Sequence, residues 1–239
     1  MKSIGIIGFG SFGKFLAEQL SAHGEVKVYS ASGKQSQWAT SLQNVAECDY
    51  VIPAVPLEAY EKTLTELKPF LMPTTVIVDV CSVKVEPMQI IANCLPGQPV
   101  VATHPLFGPE SAKDSLKDHV LVLCPDQSDV DQLQIVEKFA MNLELDVVKM
   151  TCTQHDQEMA TVHGLTFFIA HALKDMGLHN QKLATPSFKK LLALAELEKH
   201  HSQDLFLTIQ NGNPYTEAVR QQFVDEATKL NQQIKPKHN

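Results

Sequence analysis

Ser3-Ile4-Gly5-Ile6-Ile7-Gly8-Phe9-Gly10-Ser11-Phe12-Gly13 is the stretch on which the fold turns. Its first half is a short apolar run with the character of a buried strand. Beyond it, Phe12, Phe15, Leu16 and Leu20 recur at the three- and four-residue spacing of one helix face. Between strand and helix stand three glycines in G-x-G-x-x-G spacing, and at a strand-to-helix junction that spacing has mechanical reasons. Gly8 permits a tight turn, Gly10 lets backbone approach a pyrophosphate, and Gly13 lets helix and strand pack closely, with the helix N-terminus facing the phosphates. The whole turn, Gly8, Phe9, Gly10, Ser11, Phe12 and Gly13, is therefore expected to hold a dinucleotide.

Outward from this turn the pattern repeats. Strand-like runs at Ser3 to Ile7, Val26 to Tyr29, Tyr50 to Val55, Val76 to Val80, Val100 to Thr103, Val120 to Cys124 and Leu145 to Lys149 alternate with helical periodicity, the rhythm of a parallel sheet. Pro53 cannot donate a ladder hydrogen bond, so its strand is expected to be short or to lie near an edge. After Thr151 the strand signal ends, and helical patterns follow over about 153–177, 186–210 and 214–234. Thr185-Pro186 reads as a helix start, and Asn211-Gly212-Asn213-Pro214 as a stop, turn and restart. The expectation is an α/β chain: a Rossmann-type, doubly wound, mostly parallel sheet over 1–150, then a smaller all-α domain over 151–239. The run Leu191, Leu192, Leu194, Ala195 and Leu197 is more apolar surface than one neighbouring helix covers, so homodimerisation through the helical domain is expected. Only the tail 235–239 reads as disordered.

Composition narrows the function classes. With 20 basic against 27 acidic side chains the net charge is −7, and no basic run could track a phosphate backbone, which argues against nucleic acid. The first strand begins at residue 3, leaving no room for a signal peptide, and no apolar run reaches the ~18 residues of a membrane helix. Cys48, Cys81, Cys94, Cys124 and Cys152 form no C-x-x-C pair and read as core, not as a disulfide framework. A cytoplasmic protein without membrane attachment is expected. His155, His163, His171 and His179 recur every eight residues, which turns about 800° around a helix and offsets successive rings by about 80°, so no metal site is expected from them.

Ligands of open parallel sheets sit beyond the carboxyl ends of the strands. The second strand ends in Val28-Tyr29-Ser30-Ala31-Ser32-Gly33-Lys34, without the acid that binds a ribose 2′-hydroxyl at an NAD-specific site. Ser30, Ser32 and Lys34 suit a 2′-phosphate, so NADP is the expected cofactor; NAD, with this stretch a plain solvated loop, is the other reading. Val55 and Pro56 follow the third strand. Cys81-Ser82-Val83-Lys84 and His104-Pro105 follow the fourth and fifth, so a hydroxyl, an amine and an imidazole are expected to face one crevice. His104 is the candidate general base for oxidation of an alcohol, unless it only caps a turn. Ser82 orients the same hydroxyl or merely caps the next helix.

These residues resemble the prephenate and arogenate dehydrogenases of tyrosine biosynthesis. The resemblance spans nearly the whole chain. It rests on the glycine turn, on Asp79-Val80-Cys81-Ser82-Val83-Lys84, most specifically on His104-Pro105-Leu106-Phe107-Gly108-Pro109-Glu110-Ser111, and on His155-Asp156. It implies a nicotinamide-dependent oxidoreductase that oxidatively decarboxylates a cyclohexadiene carboxylate, with His104 and Ser82 catalytic and Glu110 and Ser111 at the substrate. Where the family commonly has glutamine, and histidine four residues later, this chain has His163 and Phe167. Where several members place an arginine for the ring carboxylate, it offers Lys189. His163 and Lys189 are thus the expected substitutes. Two alternatives stand beside this expectation: a dehydrogenase or imine reductase of another small substrate on the same two-domain plan, and a non-catalytic, NADP-binding dimeric sensor.

Overall fold

A computed structural model describes residues 2–197 and 201–234; the tail expected to be disordered, 235–239, and the side chain of Leu197 lie outside the described residues. The chain divides into two compact units, Met1–His155 and Asp156–Asn239.

The first unit is built on seven strands: β1 (Ser3–Ile7), β2 (Glu25–Tyr29), β3 (Tyr50–Pro53), β4 (Val76–Asp79), β5 (Val100–Pro105), β6 (Val120–Leu123) and β7 (Asp146–Lys149). They form one sheet in the order β2-β1-β3-β4-β5-β6-β7. Each is a strand expected from the sequence, within two residues at either end. β3 is short, as Pro53 requires, but it is internal, paired with β1 and β4. Proline is tolerated there because it is the last residue of the strand; the next donor, Ala54 N–H, reaches the Ile7 carbonyl at 2.8 Å.

The first five strands pair in parallel. β6 runs antiparallel to β5, and β7 then pairs parallel with β6. A parallel return needs a crossover connection, usually a helix. None intervenes between Pro105 and Val120, so the chain comes back antiparallel.

Helices α1 (Ser11–Leu20), α2 (Leu42–Ala46), α3 (Tyr60–Leu67), α4 (Val85–Cys94) and α5 (Val130–Asn142) cover the sheet. Period-two alternation splits its apolar residues between two cores. Ile4, Ile6, Ile52 and Val78 meet Phe15, Leu16 and Leu20 of α1 and Leu133 and Ala140 of α5. Ile7, Val51, Ile77 and Ala102 meet Val45 of α2, Tyr60, Leu64 and Leu67 of α3, and Met88 and Ile91 of α4. Every residue of β3 and β4 is buried, the signature of strands covered on both faces.

In the helical part, α6 (Cys152–Met159) runs through a π-helical segment, Ala160–Leu165, into α7 (Thr166–Asp175). The second expected helix is two: α8 (Pro186–Leu197), with Thr185 Oγ1 accepting the Phe188 N–H at 3.2 Å, and α9 (Gln203–Asn211), with Ser202 capping Leu205. α10 (Thr216–Gln233) follows a turn in which Asn213 Oδ1 accepts the Tyr215 N–H at 2.9 Å and Asn213 Nδ2 donates to the Asp156 carbonyl at 2.7 Å. No helix among the described residues is long and apolar enough to cross a membrane.

Candidate active site

The glycine turn follows β1 directly. Gly8 has φ +108°, and a Cβ there would lie 2.3 Å from the Ala54 carbonyl oxygen. A Cβ on Gly13 would lie 2.1 Å from the carbonyl oxygen of Gly8. Backbone packs where those side chains would be, so the turn is held tight from inside. Gly10 is the opposite case: a Cβ there would meet nothing within 4 Å. Gly10 also caps α1 with no side-chain hydrogen bond, and the first turn carries no acid. The amides opening α1 therefore face an open space without a competing carboxylate, a fit for an anionic diphosphate.

That space is a groove of about 200 Å³. Gly8, Phe9, Gly10, Ser30, Ser32, Lys34 and Val55 line it, whereas Ser11, Phe12, Gly13 and Pro56 do not. Phe12 packs instead on Phe15, with ring centroids 6.1 Å apart. Ser30 and Ser32 hydroxyls lie 3.0 Å apart, and Lys34 Nζ reaches back to the Phe9 carbonyl at 3.5 Å. The loop after β2 thus delivers two hydroxyls and an ammonium to the edge of the glycine turn. Glu66 also lines this groove, its carboxylate 3.9 Å from Lys62 Nζ; that acid comes from α3 and not from the end of β2.

At the ends of β4 and β5 the structure corrects the sequence reading. Lys84 does not present an amine to the crevice. It is fully buried, and its Nζ donates to Asp79 Oδ2 and to the Thr103 carbonyl. Asp79, also fully buried, accepts at Oδ1 from the Tyr60 hydroxyl at 2.6 Å and from the Cys81 N–H at 3.2 Å. The Thr103 hydroxyl donates to the Asp79 carbonyl at 2.7 Å. Burial pulls the Lys84 pKa down, but the charge and hydrogen bond of Asp79 outweigh it and leave the ammonium above its ordinary value. Tyr60 is pushed well above the usual phenol range by burial and by the adjacent Asp79 charge, so it stays a donor. The network ties the turn that carries Ser82 to the strand that carries His104. Losing either charged partner would strand the other in the interior, at a cost of about 3–5 kcal/mol.

Ser82 is half-buried. It does not cap α4, whose N-cap position is Lys84 with no side-chain bond. His104 is 3% exposed and lies within β5, opposite Val122, so it caps nothing. Its Nδ1 is 2.8 Å from Nε2 of His155, and the rings meet edge to face. His155, fully buried on α6, is a partner that helical spacing cannot reveal, because it pairs with a strand residue 51 positions away.

Residues 22–149 match the family model described as prephenate dehydrogenase, nucleotide-binding domain, more than half of the chain. The chain belongs to the prephenate dehydrogenase family. Two relatives are arogenate dehydrogenases 1 and 2, chloroplastic, of Arabidopsis thaliana. The first is 30% identical, covering 88% of this chain and 36% of the relative, and the second 29% identical, covering 88% and 64%. The chain thus spans less than two thirds of the length of either. In fold it is similar to the crystal structure of prephenate dehydrogenase from A. aeolicus in complex with hydroxyphenyl propionate and NAD+, with a TM-score of 0.74, 20% identity, and 96% of this chain and 88% of that one covered. Membership of this family makes the first unit a nucleotide-binding dehydrogenase domain that uses a nicotinamide cofactor.

The residues that the prephenate dehydrogenase resemblance assigned to substrate fall in both units, Glu110 and Ser111 in the first and His163 and Lys189 in the second. Glu110 is exposed, and Ser111 folds back on its own turn, accepting from the Gly108 N–H at 3.0 Å. In the helical unit His163 sits within the π-helical segment, a feature frequent at functional sites, and its ring lies 5.5 Å from Phe167. Phe167, where the family commonly has histidine, is buried and stacks on His201 at 4.6 Å. Lys189 is exposed in the first turn of α8.

Proposed function

We propose that this chain oxidises and decarboxylates a cyclohexadiene carboxylate, prephenate or arogenate, with NADP as its preferred cofactor. The observation that carries the proposal is His104, held through Nδ1 by His155 at the carboxyl end of β5, next to the strand that leads to Ser82. A bound oxidised nicotinamide would supply the acceptor for the hydrogen and two electrons leaving the hydroxyl-bearing ring carbon. His104 takes the hydroxyl proton at Nε2, with Nδ1 committed to His155; the bond from the ring to its carboxylate then breaks, CO2 leaves, the electron pair left behind makes the ring aromatic, and the proton returns to the oxygen. Ser82 holds the same oxygen. The names of the two plant relatives and the family model support the substrate class. Incubation of the purified chain with NADP+ and each substrate, followed by NADPH absorbance, should show turnover of at least one. Turnover of neither would refute the proposal.

The NADP preference rests on Ser30, Ser32 and Lys34 at the groove. Lys34→Ala should raise KM for NADP+ about tenfold, one exposed charge-assisted contact to a phosphate, and leave KM for NAD+ within about twofold. A wild-type preference for NAD+ would assign the discrimination to Glu66.

We also propose a homodimer formed by the helical unit. α8 packs on α7, which buries Ala195 to 4% and half-buries Leu192 and Leu194 but leaves Leu191 40% exposed. α10 carries further exposed apolar residues, Phe223 and Leu230 at 38 and 58%, with Ile234 just past its end at 66%, and every residue from 221 to 234 is exposed. Sedimentation equilibrium should give twice the chain mass at micromolar concentration; a monomer there would exclude it.

A further inference from the structure

The two faces of the sheet are not covered alike. Under α2, α3 and α4, Val51, Ile77 and Ala102 are 0% exposed. On the other face Ile6 and Val101 are as fully covered, but Ile4, Tyr50, Ile52 and Val78 retain 9, 9, 7 and 9%. The topology explains the difference. After β2 each parallel crossover passes over the first face, leaving α1, chiefly over β1 and β2, and α5, chiefly over β5, β6 and β7, to cover the second. Between α1 and α5 a cleft of about 350 Å³ reaches the strands, with Ile52 and Val78 on its floor and Val136 and Ala140 on its wall. It shares no lining residue with the groove at the glycine turn.

The lining is apolar apart from Thr103, whose hydroxyl is already given to the Asp79 carbonyl, the Tyr50 hydroxyl, which donates to Gln132, and Gln19, Lys2 and His23 toward the rim. Lys2 and His23 stand there, and among the described residues no aspartate or glutamate lines the cleft, although acids outnumber bases 27 to 20 in the chain. Lys2 Nζ lies 5.5 Å over the Tyr50 ring and 3.5 Å from Asp49 Oδ1. Asp49 is itself occupied, its Oδ2 accepting the Ser3 N–H at 2.7 Å and the Ser3 hydroxyl at 2.9 Å. The His23 ring packs edge-on against Phe139 at 5.6 Å, so the mouth is framed by α1 and α5. Such a space offers ordered water few of the two to four polar partners it needs, and an apolar cavity of about 150 Å³ admits one benzene ring.

We infer that this cleft binds a small amphipathic anion, with an apolar body of about two aromatic rings seated against the sheet and one carboxylate at Lys2 and His23. Titration calorimetry of the full chain with 1-naphthaleneacetate should show saturable one-to-one binding with Kd in the micromolar to submillimolar range, and saturating NADPH should change it by less than about twofold because the sites share no residue. Ala140→Leu fills the cleft from α5 and should weaken binding by more than about tenfold without lowering Tm. Lys2→Glu, at an exposed position that cannot compromise folding, should weaken it about tenfold, and the ammonium analogue 1-naphthylmethylamine should bind at least that much more weakly than the carboxylate. Absence of saturable binding at millimolar probe, affinity unchanged in either variant, or an ammonium analogue as tight as the carboxylate would each overturn the inference.

Discussion

Asparagine in place of His104 should lower kcat for the proposed oxidation by about 10²–10⁴, the range that a positioned general base contributes, while the NADPH dissociation constant stays within about twofold. The substitution is chosen for what it keeps. Asparagine is smaller and uncharged, and its amide can still meet Nε2 of His155, 2.8 Å from the present Nδ1, so the buried partner is not left wholly unsatisfied. What it lacks is a nitrogen that can accept a proton from substrate at neutral pH. Because His104 is 3% exposed inside a strand, the fold is the main competing cause of lost activity. The comparison therefore needs three readings on one preparation: kcat, NADPH affinity by fluorescence titration, and Tm. A kcat within about tenfold of wild type, with Tm and NADPH affinity kept, would remove His104 from the chemistry. Loss of all three would point to packing and not to proton transfer. The informative pattern is loss of kcat alone, which identifies an interaction made in the transition state.

The parts of this structure that were legible in sequence are those fixed by local pattern. Seven apolar runs became seven strands, because an almost continuous Val/Ile pattern bounded by turn residues has few other uses in an alternating chain. The glycine turn was legible for the same reason, as was the Thr185-Pro186 helix start. What was not legible depends on partners far away in sequence. The reversal of β6 follows from the missing crossover between Pro105 and Val120, which strand-by-strand reading does not weigh. Lys84 reads as a polar tip after a serine, yet it is drawn inward by Asp79. The available signal was Asp79 itself, an acid closing the otherwise apolar run Val76-Ile77-Val78, since a buried carboxylate needs a cation and donors nearby. His155 had a weaker signal, and only the strand geometry pairs it with His104. Surplus apolar surface was expected on α8, where Leu191 is 40% exposed, and α10 adds Phe223 and Leu230, because which face of a helix its neighbour covers is decided by packing, not by periodicity.

Alanine at position 13 should destabilise the first unit more than any other single methyl group added at the glycine turn except one at Gly8. Its Cβ would sit 2.1 Å from the Gly8 carbonyl oxygen and 3.0 Å from the Gly8 carbonyl carbon. Both are backbone atoms of a residue at φ +108° that is itself pressed against Ala54, so no side chain can rotate away and α1 must lift off the turn. Overpacking of this kind costs about 1–3 kcal/mol and occasionally more. At about 2–4 °C per kcal/mol for a chain of this length, a cost of about 3 kcal/mol lowers Tm by roughly 6–12 °C. Gly10→Ala separates this structural demand from the ligand's. Position 10 has φ −74° and open space around its Cβ, so alanine there costs at most about 1 kcal/mol, through a poorer helix cap. A methyl group at that point instead occupies the approach to the α1 amides, and NADPH should bind more weakly by at least about tenfold. Calorimetric melting and NADPH titration of the two variants should therefore give opposite patterns, Tm falling with Gly13→Ala and affinity falling with Gly10→Ala. A Gly13→Ala protein that melts with the wild type would deny the close helix-to-strand approach. Wild-type NADPH affinity in Gly10→Ala would place the pyrophosphate elsewhere.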